Sequence, residues 1–288
     1  MEYVCPILGR VTQVVETPFS RDSWKVMRCV ETGFVFLANP PDYSLLESEL
    51  AWERTYVEER KRRRAEEPIA SFFSNLFKRI KWTFFPKRNK MASIACWAAN
   101  HIHGKEPLSL LDVGCGWGDL LLEIHQRFLP TGRSLELIGI EISKQLAIES
   151  ESKVKPLGGK ILFCNAMDGV SQLPRESLSL VTMCSFLEHE AQPLQLLMNL
   201  HPLLRHDGMI VLKVPNFACW NRRVRGKKWC GFRYPDHVNY FTPNTLSILA
   251  KQAGYRVMRQ TFFDKSPFND SMYAVLVKVE KLSHSMAA

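Results

Sequence analysis

The sequence lacks the features of an exported or membrane-spanning chain. Met1-Glu2-Tyr3 is not followed by the basic and apolar segments of a secretory signal. No run reaches the length of about 20 apolar residues that crosses a bilayer. The eight cysteines include no Cys-x-x-Cys pair, a common spacing of zinc ligands. We therefore expect a cytoplasmic protein with reduced thiols and no bound metal.

Acidic residues are fewer than basic ones. The sequence has 29 Asp and Glu and 38 Lys and Arg, which gives a formal net charge of +9. The excess lies in three segments, 60–64, 78–90 and 222–233. A basic balance of this kind favours an acidic partner, namely nucleic acid, an anionic membrane surface or a phosphorylated substrate. With 288 residues and 46% hydrophobic content, the chain is long enough for one large α/β domain and a smaller appendage.

A glycine-rich turn organises the larger domain. Residues 110–113 form a short apolar run typical of a buried strand, and Gly114, Gly116 and Gly118 follow it before an amphipathic helix. Glycine permits positive φ and a close approach of the backbone to a ligand, and the helix start offers free N–H groups. The next strand ends in Glu141, placed to accept the two hydroxyls of a ribose. A dinucleotide-binding oxidoreductase, or a turn without a ligand, are the alternatives.

Taken together, the segments Leu-Asp-Val-Gly-Cys-Gly-Trp-Gly and Ile-Gly-Ile-Glu-Ile-Ser resemble the first two motifs of the class I S-adenosylmethionine (SAM)-dependent methyltransferases. The resemblance covers roughly residues 90–280 and implies SAM as the cofactor. It also implies an α/β, Rossmann-like sheet of seven strands with helices on both faces and the last strand antiparallel. The positions that it assigns to cofactor binding are Asp112, Gly114, Cys115, Gly116, Glu141, Ile142, Asn165, Ala166 and Cys184.

Helical and strand-like patterns alternate from Met91 onward, which predicts a largely parallel sheet. Helices are expected over 91–103, 192–204 and, capped by Thr242, 242–253. The remaining strands are expected at 161–164, 178–183, 209–214, 256–262 and 272–279.

Two further segments point to the methyl acceptor. Leu187-Glu188-His189 resembles the ubiquinone-type and related small-molecule methyltransferases, and residues 235–242 resemble a family signature before the penultimate helix. The resemblance makes His189, His237 and Glu188 the candidate catalytic residues. In some relatives acids near this point help to bind a metal, but Ser185 stands where an acid is often found, so no metal is expected here.

The insertion 215–241 is rich in Arg, Lys and aromatic residues. Because it follows the fifth strand of the larger domain, we expect it to cover the cofactor and shape the acceptor pocket. Its basic residues, Arg222 and Arg223 among them, suit an anionic acceptor, and its aromatic side chains suit a ring or sugar. The same composition also suits RNA.

The predicted organisation is a β-rich appendage (1–43), a helical linker (44–90) and the methyltransferase domain (91–288). The appendage resembles a zinc ribbon whose second ligands are replaced by Leu8 and Thr32, so it is expected to bind no zinc. In the linker, residues 69–88 carry an apolar stripe beside lysines and arginines. This helix either packs on the main domain or lies on an anionic membrane as a peripheral contact.

The function expected from these features is methyl transfer from SAM to a small or lipid-linked acceptor, which is anionic if the basic loop binds it. O-methylation with a histidine base is the simplest version. An RNA methyltransferase, supported by charge, and a SAM-binding protein without catalysis are the alternatives.

Overall fold

The computed structural model describes residues 1–41, 89–103 and 107–279. Most of the predicted linker, including the 69–88 helix, lies outside the described residues, as do residues 104–106 and 280–288. Within the described part, no helix has the length and apolar character that a bilayer crossing requires.

The described strands, numbered in chain order, form two sheets. They are β1 Glu2–Cys5, β2 Arg10–Glu16, β3 Val26–Cys29, β4 Val35–Leu37, β5 Leu108–Val113, β6 Leu135–Glu141, β7 Lys160–Phe163, β8 Leu178–Cys184, β9 Leu204–Pro215, β10 Asn239–Tyr240, β11 Tyr255–Arg259 and β12 Ser271–Lys278. The α-helices are α1 Lys90–Asn100, α2 Asp119–Phe128, α3 Lys144–Val154, α4 Ala166–Ser171, α5 Pro193–Leu200, α6 Trp220–Arg225 and α7 Pro243–Gln252.

The larger sheet has the strand order β11-β12-β9-β8-β5-β6-β7. Strands β5 to β9 run parallel along this order, and β12 is antiparallel to both of its neighbours. Every residue of β5 is buried, as expected for a central strand covered on both faces. The Rossmann-like seven-stranded fold expected from the sequence is confirmed.

Helices cover both faces of this sheet. On one face, α1 packs against α2, β8 and β9 around a core that includes Met91, Leu121 and Leu180. On the other, α4 and α7 pack against α5 around Leu196 and Leu249. The cap expected for α7 is present, because Thr242 Oγ1 accepts a hydrogen bond from Thr245 N. The helix expected at 192–204 is shorter, since the chain passes into β9 at Leu204.

The smaller sheet joins the N-terminal segment to the insertion. Its order is β1-β2-β3-β4-β10, and β10 comes from residues just before α7. Asn239 and Tyr240 pair antiparallel with Phe36 and Val35. The first 41 residues therefore form one structure with the insertion, and their core continues into that of the larger sheet through Phe34 and Phe241.

Candidate functional site

The glycine turn lies where β5 ends, beside β6 and β8. Asp112 is buried at this edge and accepts a hydrogen bond from Thr182 Oγ1 at 2.7 Å. Burial raises the pKa of Asp112 to about 7, although the Thr182 bond opposes the rise. Gly114 has φ +70°, and a Cβ there would lie 2.4 Å from the Phe186 ring. This position therefore requires glycine for two separate steric reasons.

Gly116 and Glu141 form the part of the turn that is open to a ligand. Gly116 has φ +54°, and a Cβ built there meets no atom within 4 Å. The carboxylate of Glu141 accepts hydrogen bonds from Gly116 N (2.8 Å) and Ser143 N (2.9 Å). The two backbone amides hold the carboxylate in one orientation, and each of its oxygens has a second lone pair. The geometry fits a carboxylate that binds a polyol such as ribose.

The side chain of Cys115, one of the positions assigned to cofactor binding, packs into the protein. Its side chain is 6% exposed and lies against Gly139, where an added Cβ would be 2.7 Å from Cys115 Sγ. Burial keeps the pKa of this thiol well above its ordinary value. Cys115 therefore packs between the turn and β6, and only its backbone remains available to a ligand. Gly139 is the residue that makes room for it.

The side chain expected at the adenine edge has local partners. Asn165 caps α4 by accepting a hydrogen bond from Asp168 N at 2.9 Å, and its amide donates to the Asp168 carboxylate at 2.7 Å. Ala166 is the first residue of that short helix. Ile142 is half-buried directly after Glu141. Asn165 thus fixes the turn after β7, and a direct role of its amide toward a ligand is still a prediction.

Cys184 connects the glycine turn to the second half of the site. It is the last residue of β8, and its thiol has a pKa raised to about 11, chiefly by burial. The charges of Asp112 and Glu188 both raise that pKa further. Cys184 therefore lies between the buried acid of the turn and the segment that carries the candidate catalytic residues.

Glu188 is the buried acid of this second half. Its side chain is 1% exposed, and its Oε2 atom has no hydrogen-bond partner. Burial raises the pKa of Glu188 to about 8, against the opposing charges of Lys213 and Arg233. Its backbone carbonyl accepts from Val238 N and Asn239 N, which ties this loop to β10. A buried carboxyl oxygen without a hydrogen-bond partner is costly to keep and commonly marks a functional site.

His189 and His237 lie beside Glu188 with their rings 4.7 Å apart at 90°. His189 Nδ1 is 2.9 Å from the Asp236 carbonyl, and His237 Nδ1 is 2.8 Å from the Gly231 carbonyl. A carbonyl can only accept, so each Nδ1 carries the proton when neutral and each Nε2 presents a lone pair. Asp236 therefore orients His189 through its backbone, whereas its neighbour His237 is oriented by Gly231.

Burial and the charge of Arg233 lower the pKa of His189 to about 4. His189 is therefore neutral at pH 7. The guanidinium Nε and Nη2 atoms of Arg233 are themselves buried and have no hydrogen-bond partner. Since Arg233 acts electrostatically on both Glu188 and His189, a cation with unused donors belongs to this cluster. Sequence reasoning had grouped Arg233 with the other basic residues of the insertion.

One ligand atom each from Glu188, His189 and His237 lies within 4.8 Å of the other two. Two imidazoles and a carboxylate are a donor set that divalent metals use. The neighbouring guanidinium of Arg233 opposes a second cation by Coulomb repulsion. The absence of a bound metal therefore stays a prediction for this cluster. Its charges suit acid–base chemistry better than metal binding.

The aromatic residues of the insertion are mostly core, which corrects their expected role as acceptor contacts. Trp229, Phe232 and Tyr240 are at most 4% exposed and pack with Val26 and Val35 of the smaller sheet. Arg222 is also structural, because its Nε donates to the Phe217 carbonyl and its guanidinium lies over the Phe217 ring at 4.4 Å. It is therefore not placed to attract an acceptor.

Two polar residues that the sequence did not single out hold this layer together. Asp270 accepts hydrogen bonds from Trp229 Nε1 and Asn221 Nδ2. Asn239 donates to the carbonyls of Leu187 and Glu190. These hydrogen bonds join segments about 40 to 50 residues apart in the chain, so no local sequence pattern could have predicted them.

A family model described as a methyltransferase domain matches residues 60–260. The chain belongs to this methyltransferase family. The match confirms the family that the glycine turn and Glu141 predicted. Among curated proteins, the chain is 32% identical over 126 residues to a ubiquinone biosynthesis O-methyltransferase of Haemophilus ducreyi (strain 35000HP / ATCC 700724). The match covers 41% of this chain and about half, 48%, of that relative.

Solved methyltransferase structures share the fold. A SAM-dependent methyltransferase from Clostridium acetobutylicum ATCC 824 superposes with a TM-score of 0.50 at 13% identity, over 72% of this chain and 99% of that one. Geranyl diphosphate C-methyltransferase from Streptomyces coelicolor A3(2) gives 0.50 at 15% identity, over 65% and 80%. At these identities the likeness is one of fold.

Proposed function

We propose that the protein is a SAM-dependent methyltransferase that O-methylates a small or lipid-linked acceptor carrying an anionic group. The observation that carries the proposal is the arrangement along one edge of the sheet. The open glycine turn at the end of β5 and a buried polar cluster after β8 are linked through Cys184. Family membership supports methyl transfer, and the cluster supports the choice of acceptor.

The residues of the turn fit SAM. Gly116 leaves space where a side chain would stand, and Glu141 offers a carboxylate held by two backbone amides. These residues would hold the methionine end and the ribose hydroxyls. When bound, SAM supplies an electrophilic methyl group, so the protein's main task is to align the acceptor with it.

His237 is the residue that we assign as general base. Its ring is 4% exposed and its Nδ1 lies 2.8 Å from the Gly231 carbonyl, so in the neutral ring Nε2 is the atom that would take a proton from an acceptor hydroxyl. Burial, together with the charge of Arg233, lowers the pKa of His189 to about 4, so this neighbouring ring is neutral at pH 7. A positioned histidine contributes about 10²–10⁴-fold to a reaction that needs proton removal.

Arg233 supports an anionic acceptor group. Its Nε and Nη2 atoms form one edge of a planar fork, the arrangement that binds carboxylate and phosphate oxygens in pairs. An anion there would satisfy donors that are otherwise buried without partners. The protonated form of Glu188, favoured by a pKa of about 8, would in turn donate to the same molecule.

The experiment is to incubate the purified protein with methyl-labelled SAM and a cell extract, then identify the labelled product. We expect label in a small or lipid-extractable anionic molecule, and labelling at least about 100-fold slower with His237→Ala. Label that nuclease treatment releases would point instead to an RNA methyltransferase. Tight SAM binding with no labelled product from any fraction would favour the non-catalytic alternative.

Arg233→Gln separates the acceptor claim from the cofactor claim. Loss of a charged hydrogen-bond pair should raise the acceptor KM roughly 10- to 100-fold and leave the SAM affinity unchanged. Arg233→Lys keeps the charge but loses the two-pronged hydrogen bonding, so its acceptor KM should lie between those of the wild type and Arg233→Gln. Arg175→Gln, at an exposed arginine ahead of β8 and outside the insertion, is the matched control. An unchanged KM in Arg233→Gln would remove the anionic group from the proposal.

A further inference from the structure

One surface of the main domain exposes several aromatic side chains to solvent. Four aromatic side chains are more than half exposed, namely Trp220 (52%), Phe262 (62%), Phe263 (74%) and Phe268 (67%). Single exposed apolar residues are ordinary, but several together on one surface usually mark a contact site. We call this group the aromatic edge.

The aromatic edge is built from two segments that are joined by a backbone hydrogen bond. Three come from the loop 262–268, and Trp220 begins α6. The Trp220 and Phe268 rings lie 4.7 Å apart, and Trp220 N donates to the Pro267 carbonyl at 2.7 Å. Val224, 86% exposed, is one helical turn after Trp220 and therefore on the same side of α6. The edge is thus fixed by the backbone.

The charge around the edge is positive. Residues 217–235 contain six Lys or Arg and no Asp or Glu. Arg223, Lys227, Lys228 and, in the loop, Lys265 are exposed. The one acid of the loop, Asp264, is 2% exposed and paired with Lys90. Asp270, which follows the loop, accepts hydrogen bonds from Trp229 and Asn221. The solvent-facing charge beside the aromatic rings is therefore cationic.

We infer that the aromatic edge docks the protein on an anionic membrane surface. Exposed phenylalanine and tryptophan side chains beside lysines and arginines are the composition of interfacial membrane contacts. Two pairs of these rings contact each other edge to face, Trp220 with Phe268 at 61° and Phe262 with Phe263 at 76°. Bases also stack on exposed aromatic rings beside cations, so RNA binding is one outcome of the test below.

This inference does not depend on methyl transfer and uses other residues than the predicted 69–88 helix. Within the described residues, α1 is tied to the edge, because Lys90 at its start donates to the Phe263 carbonyl at 2.7 Å. A membrane contact there would place the acceptor-binding insertion, which also carries α6, close to lipid-linked molecules.

The experiment is flotation of the full chain with vesicles of phosphatidylcholine alone, or phosphatidylcholine with phosphatidylglycerol, without SAM. Binding should require the anionic lipid and fall as salt is added. Phe263→Ser with Phe268→Ser should reduce binding at least about tenfold through lost apolar contact. Lys227→Glu with Lys228→Glu should reduce it about tenfold or more at low salt.

Leu129→Ser with Ile148→Ser is the matched control, because these side chains are 57% and 60% exposed elsewhere on the domain. It should bind vesicles like the wild type. Brominated lipid should quench tryptophan fluorescence, and Trp220→Phe should lose most of that quenching. Equal binding by the phenylalanine and control variants would overturn the inference, as would binding to RNA with none to vesicles. A drop of several degrees in Tm for Phe263→Ser with Phe268→Ser would also overturn it, because the edge would then be covered by another part of the chain.

Discussion

Replacing Glu188 by glutamine tests the electrostatics of the candidate catalytic cluster. Burial raises the pKa of Glu188 from 4.5 to about 8, so the folded protein holds this proton more tightly than the unfolded chain. Below pH 4.5 this carboxyl is protonated in both states and does not change the free energy of unfolding with pH. Between pH 4.5 and 8 the free energy of unfolding falls, because the unfolded chain ionises first. At about 1.36 kcal/mol per pH unit, the cost above pH 8 reaches at most about 5 kcal/mol.

Glutamine cannot ionise, so the variant should lose this part of the pH dependence. We expect the free energy of unfolding of Glu188→Gln, measured with urea, to fall less than that of the wild type between pH 5 and pH 8.5. The comparison between pH values cancels the constant effect of the new amide group. Exposed Glu16→Gln is the control and should follow the wild type.

The refuting result is a Glu188→Gln variant whose stability changes with pH as steeply as the wild type. It would mean that water or an ion reaches Oε2 and that the carboxyl is ionised at neutral pH. The pKa of Asp112 is also raised, to about 7, so some slope should remain in the variant. Asp112→Asn should remove that remainder.

Three further outcomes are expected, two from the site and one from the N-terminal segment. Gly114→Ala should cost about 2–4 kcal/mol of stability, because it meets Phe186 at 2.4 Å and strains positive φ, whereas Gly116→Ala should cost only about 1–2 kcal/mol; urea denaturation compares them. His237→Ala should lower kcat about 100-fold or more with SAM affinity unchanged, and a fall in Tm with a rise in KM instead would make it structural. Elemental analysis of the purified protein should find no zinc, and one tightly held zinc lost in Cys5→Ser with Cys29→Ser would contradict the interpretation of the N-terminal segment.

The fold was predictable where the chemistry is local. The alternation of apolar runs and amphipathic helices from Met91 onward is enough for a parallel sheet, and the glycine turn marks its ligand-binding edge. Thr242 was recognisable as a cap because its partner is three residues away. Local periodicity, turn residues and caps are all visible in a single sequence.

The parts that were missed depend on contacts distant in sequence. Strand β10 has two residues and exists because Asn239 and Tyr240 find an edge at β4. The sequence alone allowed the aromatic side chains of the insertion to line an acceptor pocket. In the fold most of them pack against the N-terminal sheet. Only the fold could distinguish Arg222 from Arg233. Arg222 Nε donates to the Phe217 carbonyl, whereas Arg233 Nε and Nη2 are buried without a hydrogen-bond partner.

The central claim is that the turn after β5 and Glu141 bind SAM, and isothermal titration of the full chain with SAM tests it most directly. The wild type should bind one SAM per chain. Gly116→Val, which puts a branched side chain into the open space of the turn, and Glu141→Ala, which removes the ribose-binding carboxylate, should each abolish measurable binding while circular dichroism stays native. Wild-type affinity in both variants would contradict the account.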